Sequence, residues 1–211
     1  MFNTFFDKVY VITCKNLHER QVYIKNHFKN NSINFDFFVS IDKNLLTDSN
    51  ISNSEKSLSL SHLNCIINAK LNGYKSILIC EDDVNFSENL NENFGEFVKI
   101  LPNDWNFIQL GNQFWATHWL IRTFISDNLY EFKWGTGSHC IGINSNVYDL
   151  AIEELQNLNG PVDIMYYNLF AKCKCYCPEI FIADALSENN HLNFYDSKYI
   201  FKSTIFHKNI K

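Results

Sequence analysis

Glu81, Asp82 and Asp83 follow directly on Ile77-Leu78-Ile79-Cys80, so an apolar run stops in three consecutive carboxylates. Adjacent carboxylates repel one another and are costly to gather unless a cation or solvent compensates. A hard divalent metal holding a phosphate meets that need, because Mg²⁺ or Mn²⁺ uses one or two protein carboxylates plus phosphate oxygens. An acidic surface loop behind a core strand is the other reading of the same residues. Two metals on these acids would instead suit a phosphoryl or nucleotidyl transferase or hydrolase. That chemistry needs further carboxylates from other strand ends, and Asp42 and Asp104 are the candidates. A noncatalytic binding scaffold is a third reading.

The apolar run has no polar side chain but the Cys80 thiol and has Gly73 ahead of it, which predicts a strand buried on both faces. In an open α/β sheet, ligands bind beyond the C-terminal strand ends, where these acids stand. The elements around it read as strand, helix, strand: Phe5 to Ile12, Leu17 to Phe28 and Phe35 to Val39. Thr47 to Lys56 reads as a loop. Leu58 to Leu71 reads as a helix closed by Asn72-Gly73. After the acids, a helix is expected from Ser87 to Ile100 and a strand from Trp105 to Gly111. Phe132 to Trp134 and Cys140 to Ile143 flank Gly135-Thr136-Gly137, whose glycines permit close backbone approach to a ligand. Helices over Asn146 to Leu158 and Asp163 to Phe170, and strands at Cys173 to Tyr176 and Ile180 to Ala183, complete one domain. From Ser187 to Lys211 the pattern is lost, as in a tail that wraps the domain or is partly disordered.

Composition narrows the function classes. Apolar residues make up 46% of 211, with 19 Phe and 10 Tyr, which supplies a sizeable core. The net charge of −5 argues against a nucleic-acid partner, which needs a basic surface. No stretch approaches the roughly 18 apolar residues of a membrane span, and Met1 to Lys8 lacks an apolar leader, so a soluble cytoplasmic protein is expected. Seven cysteines, an odd number, indicate reduced thiols. Cys173, Cys175 and Cys177 alternate so as to share one face of a strand, and packing under the sheet is their default reading over a metal site. Phe114, Trp115, Trp119 and Trp134 are either core or flat surfaces for stacking on a sugar.

Several short signatures in order resemble glycosyltransferase family 25, the lipooligosaccharide and collagen galactosyltransferases. Asn16-Leu17 with Arg20 is similar to the turn after the family's opening strand, and Asp42 to its Ala-x-Asp-Gly aspartate, although Lys43 replaces the glycine. Ser61-His62 resembles the Ser-His of the helix before the acidic strand, and Ile77 to Val84 resembles Ile-Leu-Ile-Glu-Asp-Asp-Val closely. Asp104-Trp105 with Gln109-Leu110-Gly111, Gly137-Ser138-His139, Pro161-Val162-Asp163 and Pro178 follow in family order. Ser57-Leu58 stands where the family has Gly-Cys, and Ile141 where it has an aromatic residue.

The resemblance implies a GT-A type α/β fold, a mixed and mostly parallel sheet flanked by helices, and an inverting transfer of galactose or glucose from a UDP-sugar donor to a glycan or protein acceptor. It implies Mn²⁺, or Mg²⁺, held by Asp83, with Glu81 or Asp82 as a second contact to metal or ribose. His191 is either a late third ligand or a surface residue of the tail. Asp163 is the catalytic base in this reading, or a helix cap with no catalytic part. Asp42, Arg20, His62 and Gly137 are the donor-binding candidates, Arg20 for the diphosphate and Asp42 for the ribose.

Overall fold

The computed structural model describes residues 1–46, 51–111, 121–135 and 137–186. Eight strands form one sheet in the order β2-β1-β3-β8-β5-β9-β7-β6. In chain order these are β1 (Lys8–Thr13), β2 (Asp36–Val39), β3 (Ser76–Glu81), β5 (Phe107–Gln109), β6 (Ile121–Ser126), β7 (Leu129–Trp134), β8 (Cys140–Asn144) and β9 (Cys175–Cys177). β2, β1 and β3 are mutually parallel, β8 reverses, β5 and β9 resume the first direction, β7 reverses and β6 resumes it. The sheet is therefore mixed and mostly parallel. A separate ribbon pairs β4 (Val84–Phe86) with β10 (Ala183–Ala185), antiparallel.

Helices cover both faces. On one face lie α3 (Asn53–Leu71), α5 (Tyr148–Leu155) and α6 (Val162–Phe170); on the other lie α1 (Phe2–Phe5), α2 (His18–Asn30) and α4 (Leu90–Ile100). Along β3, Ile77 and Ile79 enter the first core while Leu78 and Cys80 enter the second. That alternation makes β3 a strand buried on both faces, as its composition requires. Cys173, Cys175 and Cys177 all enter the first core as free thiols and Tyr176 enters the second.

Several boundaries differ from the sequence expectation. Phe5 ends a short helix and does not open the first strand. The Phe6 amide donates to the Phe2 carbonyl at 2.8 Å, and this places Phe2 and Phe6 against Phe94. α3 begins at Asn53, because Ser52 and Glu55 form a reciprocal capping box. α4 begins at Leu90, since the Ser87 amide donates to the Ile182 carbonyl at 3.0 Å. The helix expected from Asn146 starts at Tyr148, after a 3-10 turn over Ser145–Val147. β6 is an unanticipated hairpin partner of β7, turning at Asn128 with φ 60°.

Candidate active site

The acids turn from β3 into β4, at the end of the sheet where β1 and β2 also finish. Each acid has a different set of partners. Asp82 is buried; it accepts from the Thr13 hydroxyl at 2.6 Å and from Arg20 Nη1 at 2.8 Å. Arg20, in the first turn of α2, also lies 3.5 Å from Asp83 Oδ2. Glu81 turns toward β8, accepting from the Ser138 hydroxyl at 2.7 Å while its amide donates to the His139 carbonyl at 3.0 Å. Period-two alternation thus separates Glu81 from Asp82, as expected of a strand end.

Two more acids reach this cluster electrostatically. Asp163 stands in the first turn of α6, with its carboxylate accepting from the amides of Ile164, at 2.9 Å, and Gly137. Asp184 lies on β10 opposite Asn85, and the Leu186 amide ties the same segment to the Asp83 carbonyl at 2.9 Å. Burial first, then the charges of Asp83, Asp82 and Asp163, push Glu81 up to about 8 against the opposing Ser138 bond. Burial and the charge of Asp83 push Asp184 up to about 6. Burial also raises Asp163, against its backbone hydrogen bonds.

A cleft of about 130 Å³ opens beside the cluster, bounded by Thr13, Cys14, Ser40, Glu81 and Asp82 at the strand ends, by Arg20 of α2 and by Ser54, Ser57 and Leu58 of α3. Both positions that depart from the family's Gly-Cys therefore face it. A larger hollow of about 550 Å³ runs along one face of α2 past Val22, Tyr23 and His27, with Glu19 as the acid among its described lining.

The other proposed residues fall elsewhere or take different partners. Asp42 is exposed and caps the 3-10 turn Lys43–Leu45, accepting from the Asn44 amide at 2.9 Å; it does not line the cleft. His62 is fully buried between α3 and α6, with Nδ1 3.1 Å from the Tyr166 hydroxyl, and burial pushes its pKa down to about 3. Gly137 has φ 95°, and its carbonyl accepts from Gln109 Nε2 at 3.1 Å. Asp104 is exposed and pairs with Lys174 at 3.1 Å. His191, Phe114, Trp115, Trp119, Thr136 and the tail from Ser187 lie outside the described residues.

Thr13, Ser138 and Asp184 were missed by sequence reasoning. Ser138 lies within Gly137-Ser138-His139, a signature that assigns it no role. Asp184 had one available signal, a lone acid at the end of the apolar stretch from Ile180.

Among the described residues no three His, Cys, Asp or Glu side chains converge as a preformed metal cage. The donor set fits a divalent ion bound jointly with a diphosphate, which asks for one or two carboxylates and takes its remaining oxygens from phosphate and water. Burial first, and then the charge of Asp83, raises both Glu81 and Asp184, and a cation beside them would offset the part due to charge.

Residues 6–133 match glycosyltransferase family 25, described as an LPS biosynthesis protein. The chain belongs to that family. It is a glycosyltransferase, and the match takes in Arg20 and all three acids, ending before Gly137 and Asp163. Among curated proteins nothing matches. Among solved structures, a glycosyltransferase involved in glycosylating the major capsid of PBCV-1 superposes with TM-score 0.52 at 8% identity, covering 94% of this chain and 99% of that one. A UDP-glucose pyrophosphorylase complexed with UDP-glucose gives 0.49 at 11% identity over 95% and 81% of the two chains. The inositol-1-phosphate CTP transferase from T. maritima gives 0.48 at 9% over 93% and 77%. The first of these likenesses shows the fold, a GT-A-like α/β sheet. No helix among the described residues is long and apolar enough to cross a membrane.

Proposed function

We propose that this family 25 enzyme is a metal-dependent, inverting hexosyltransferase that moves galactose or glucose from a UDP-sugar to a hydroxyl of a glycan or hydroxylated side chain. The supporting observation is the acid cluster at the C-terminal end of β3, flanked by a cleft at the strand ends and by Asp163 from α6. The nucleotide occupies that cleft, and Arg20 at its edge offers the diphosphate a cation. Asp83 and Glu81 are the residues that would hold Mn²⁺ or Mg²⁺, with His191 as the proposed third ligand. Such an ion, when bound, neutralises charge on the departing diphosphate.

Asp163 takes the proton of the acceptor hydroxyl as that oxygen bonds to the anomeric carbon. The bond from that carbon to the phosphate oxygen breaks, and UDP leaves with the electron pair. Burial favours this role, because a carboxylate of raised pKa is the better base. Its hydrogen bonds from Ile164 and Gly137 fix its orientation. Asp82 acts through Arg20 and Thr13 and so positions its neighbours.

The test is binding and slow hydrolysis of UDP-galactose and UDP-glucose, with and without Mn²⁺, for the protein and for Asp83→Asn. Metal-dependent binding and UDP release, both lost in the variant, support the reading and rank the donors. Failure of both nucleotide sugars to bind with metal present overturns it. Direct metal titration of His191→Ala tests the third ligand.

A further inference from the structure

The face of α6 that carries Asp163 continues past it to side chains with no role in the proton transfer. Asp163 stands in its first turn and Tyr167 follows four residues later, so the two side chains share a helix face about 6 Å apart along the axis. Tyr167 is 37% exposed and Ile164, beside Asp163, 48%, whereas their neighbours Tyr166 and Phe170 are buried. The Trp134 ring at the end of β7 meets the Tyr167 ring edge to face, 5.7 Å between centroids and 87° between planes. Trp134 also leads into the loop whose Gly137 amide bonds the Asp163 carboxylate. Two partly open aromatic rings are thus placed against each other one helical turn from that carboxylate.

We propose that the Tyr167 ring, held edge to face by Trp134, is the platform on which a pyranose ring of an acceptor glycan stacks, placing one of its hydroxyls at Asp163. The inference rests on the reading of Asp163 as the acceptor-facing base. A pyranose has a flat face of C–H groups and a rim of hydroxyls. Aromatic rings match that face, and the phenol of Tyr167 offers the rim a hydrogen-bonding group. The helical step between Tyr167 and Asp163 is comparable to the breadth of one sugar ring, so a ring on the platform can present its edge to the carboxylate. A hydroxylated peptide side chain has no flat apolar face to stack, which favours the glycan as occupant.

The test is saturation-transfer NMR and titration with lactose, methyl galactoside and methyl glucoside on the full chain, with Tyr167→Ala, Tyr167→Phe and Trp134→Ala alongside. Saturation should reach the sugar C–H protons. Affinity should fall about tenfold in Tyr167→Ala and be largely retained in Tyr167→Phe, with thermal unfolding confirming that each variant folds. The proposal is overturned if none of these sugars receives saturation, if Tyr167→Ala binds like the parent, or if a hydroxylysine peptide binds and the sugars do not. UDP-sugar binding by the unaltered chain is read separately. Its absence alongside sugar binding on the platform counts against the donor reading alone, and the reverse result counts against the platform alone.

Discussion

Replacing Arg20 with Met tests whether the acids are held in place by charge balance. Arg20 is a cation in contact with Asp82 and Asp83, at 2.8 and 3.5 Å; its side chain is 24% exposed and that of Asp82 only 7%. Removing one partner of a buried ion pair costs about 3–5 kcal/mol. Here water reaches the arginine side of the pair, and the Thr13 hydroxyl still donates to Asp82. We therefore expect Arg20→Met to destabilise by about 2 kcal/mol. Asp82→Asn keeps the shape and one acceptor oxygen and removes a charge beside Glu81 and Asp83, so about 1 kcal/mol is expected. The double variant should cost less than the sum, with a coupling of about 1–2 kcal/mol. The assay is urea unfolding of all four proteins at neutral pH, in low and high salt. A coupling indistinguishable from zero, or one abolished by salt as at an exposed pair, refutes the assignment of Asp82 as a buried clamp.

Glu81 sets a pH dependence: folded, it titrates at about 8, so between its ordinary value of 4.5 and pH 8 the folded state holds the extra proton. Its contribution to stability is complete below that window and lost as pH rises through it, and Glu81→Gln should flatten the decline by about 2 kcal/mol in urea unfolding. His62 works in the opposite sense, its depressed value of about 3 giving stability that is present above pH 6.5 and lost in acid. His62→Phe should remove that acid decline while costing about 1–2 kcal/mol at neutral pH, because the Tyr166 hydroxyl loses its partner. Gly111→Ala would set a Cβ 2.3 Å from His139 Nε2 and 2.8 Å from the Ala183 carbonyl. It should cost about 1–3 kcal/mol and loosen β10, seen as faster amide exchange at Ala183 to Ala185.

The parts of the fold legible in the sequence were those set by local pattern. β3 could be read because an uninterrupted apolar run permits little besides a doubly buried strand, and α6 because Asp163 follows a Gly-Pro break. Phe5-Phe6 misled because two adjacent aromatics suit a strand as well as a helix end, and only the distant Phe94 decides between them. β4 and β10 are three residues each, too short for periodicity, and exist because they pair with each other. The same reason hid Asp184, whose closeness to Asp83 comes from that pairing. Asp42 is a donor-site candidate by its signature, and locally it caps a turn through the Asn44 amide, a role its signature does not reveal.

Three acids in a row make physical sense once their partners differ. Asp82 pairs with Arg20, accepts from Thr13 and fixes the turn, while burial first and then the charge of Asp83 hold Glu81 and Asp184 above the ordinary carboxylate range. A nucleoside diphosphate adds further negative charge to this ground. Without a divalent ion, UDP should therefore bind no more tightly than uridine, because attraction to Arg20 is offset by the surrounding acids. With Mn²⁺ the order should reverse, UDP gaining at least about tenfold over uridine, and calorimetry with the two ligands measures it directly. If UDP outbinds uridine by that margin in the presence of a chelator, the acids do not face the diphosphate, and the charge crowding at Asp83 serves the protein in some way other than holding a cation.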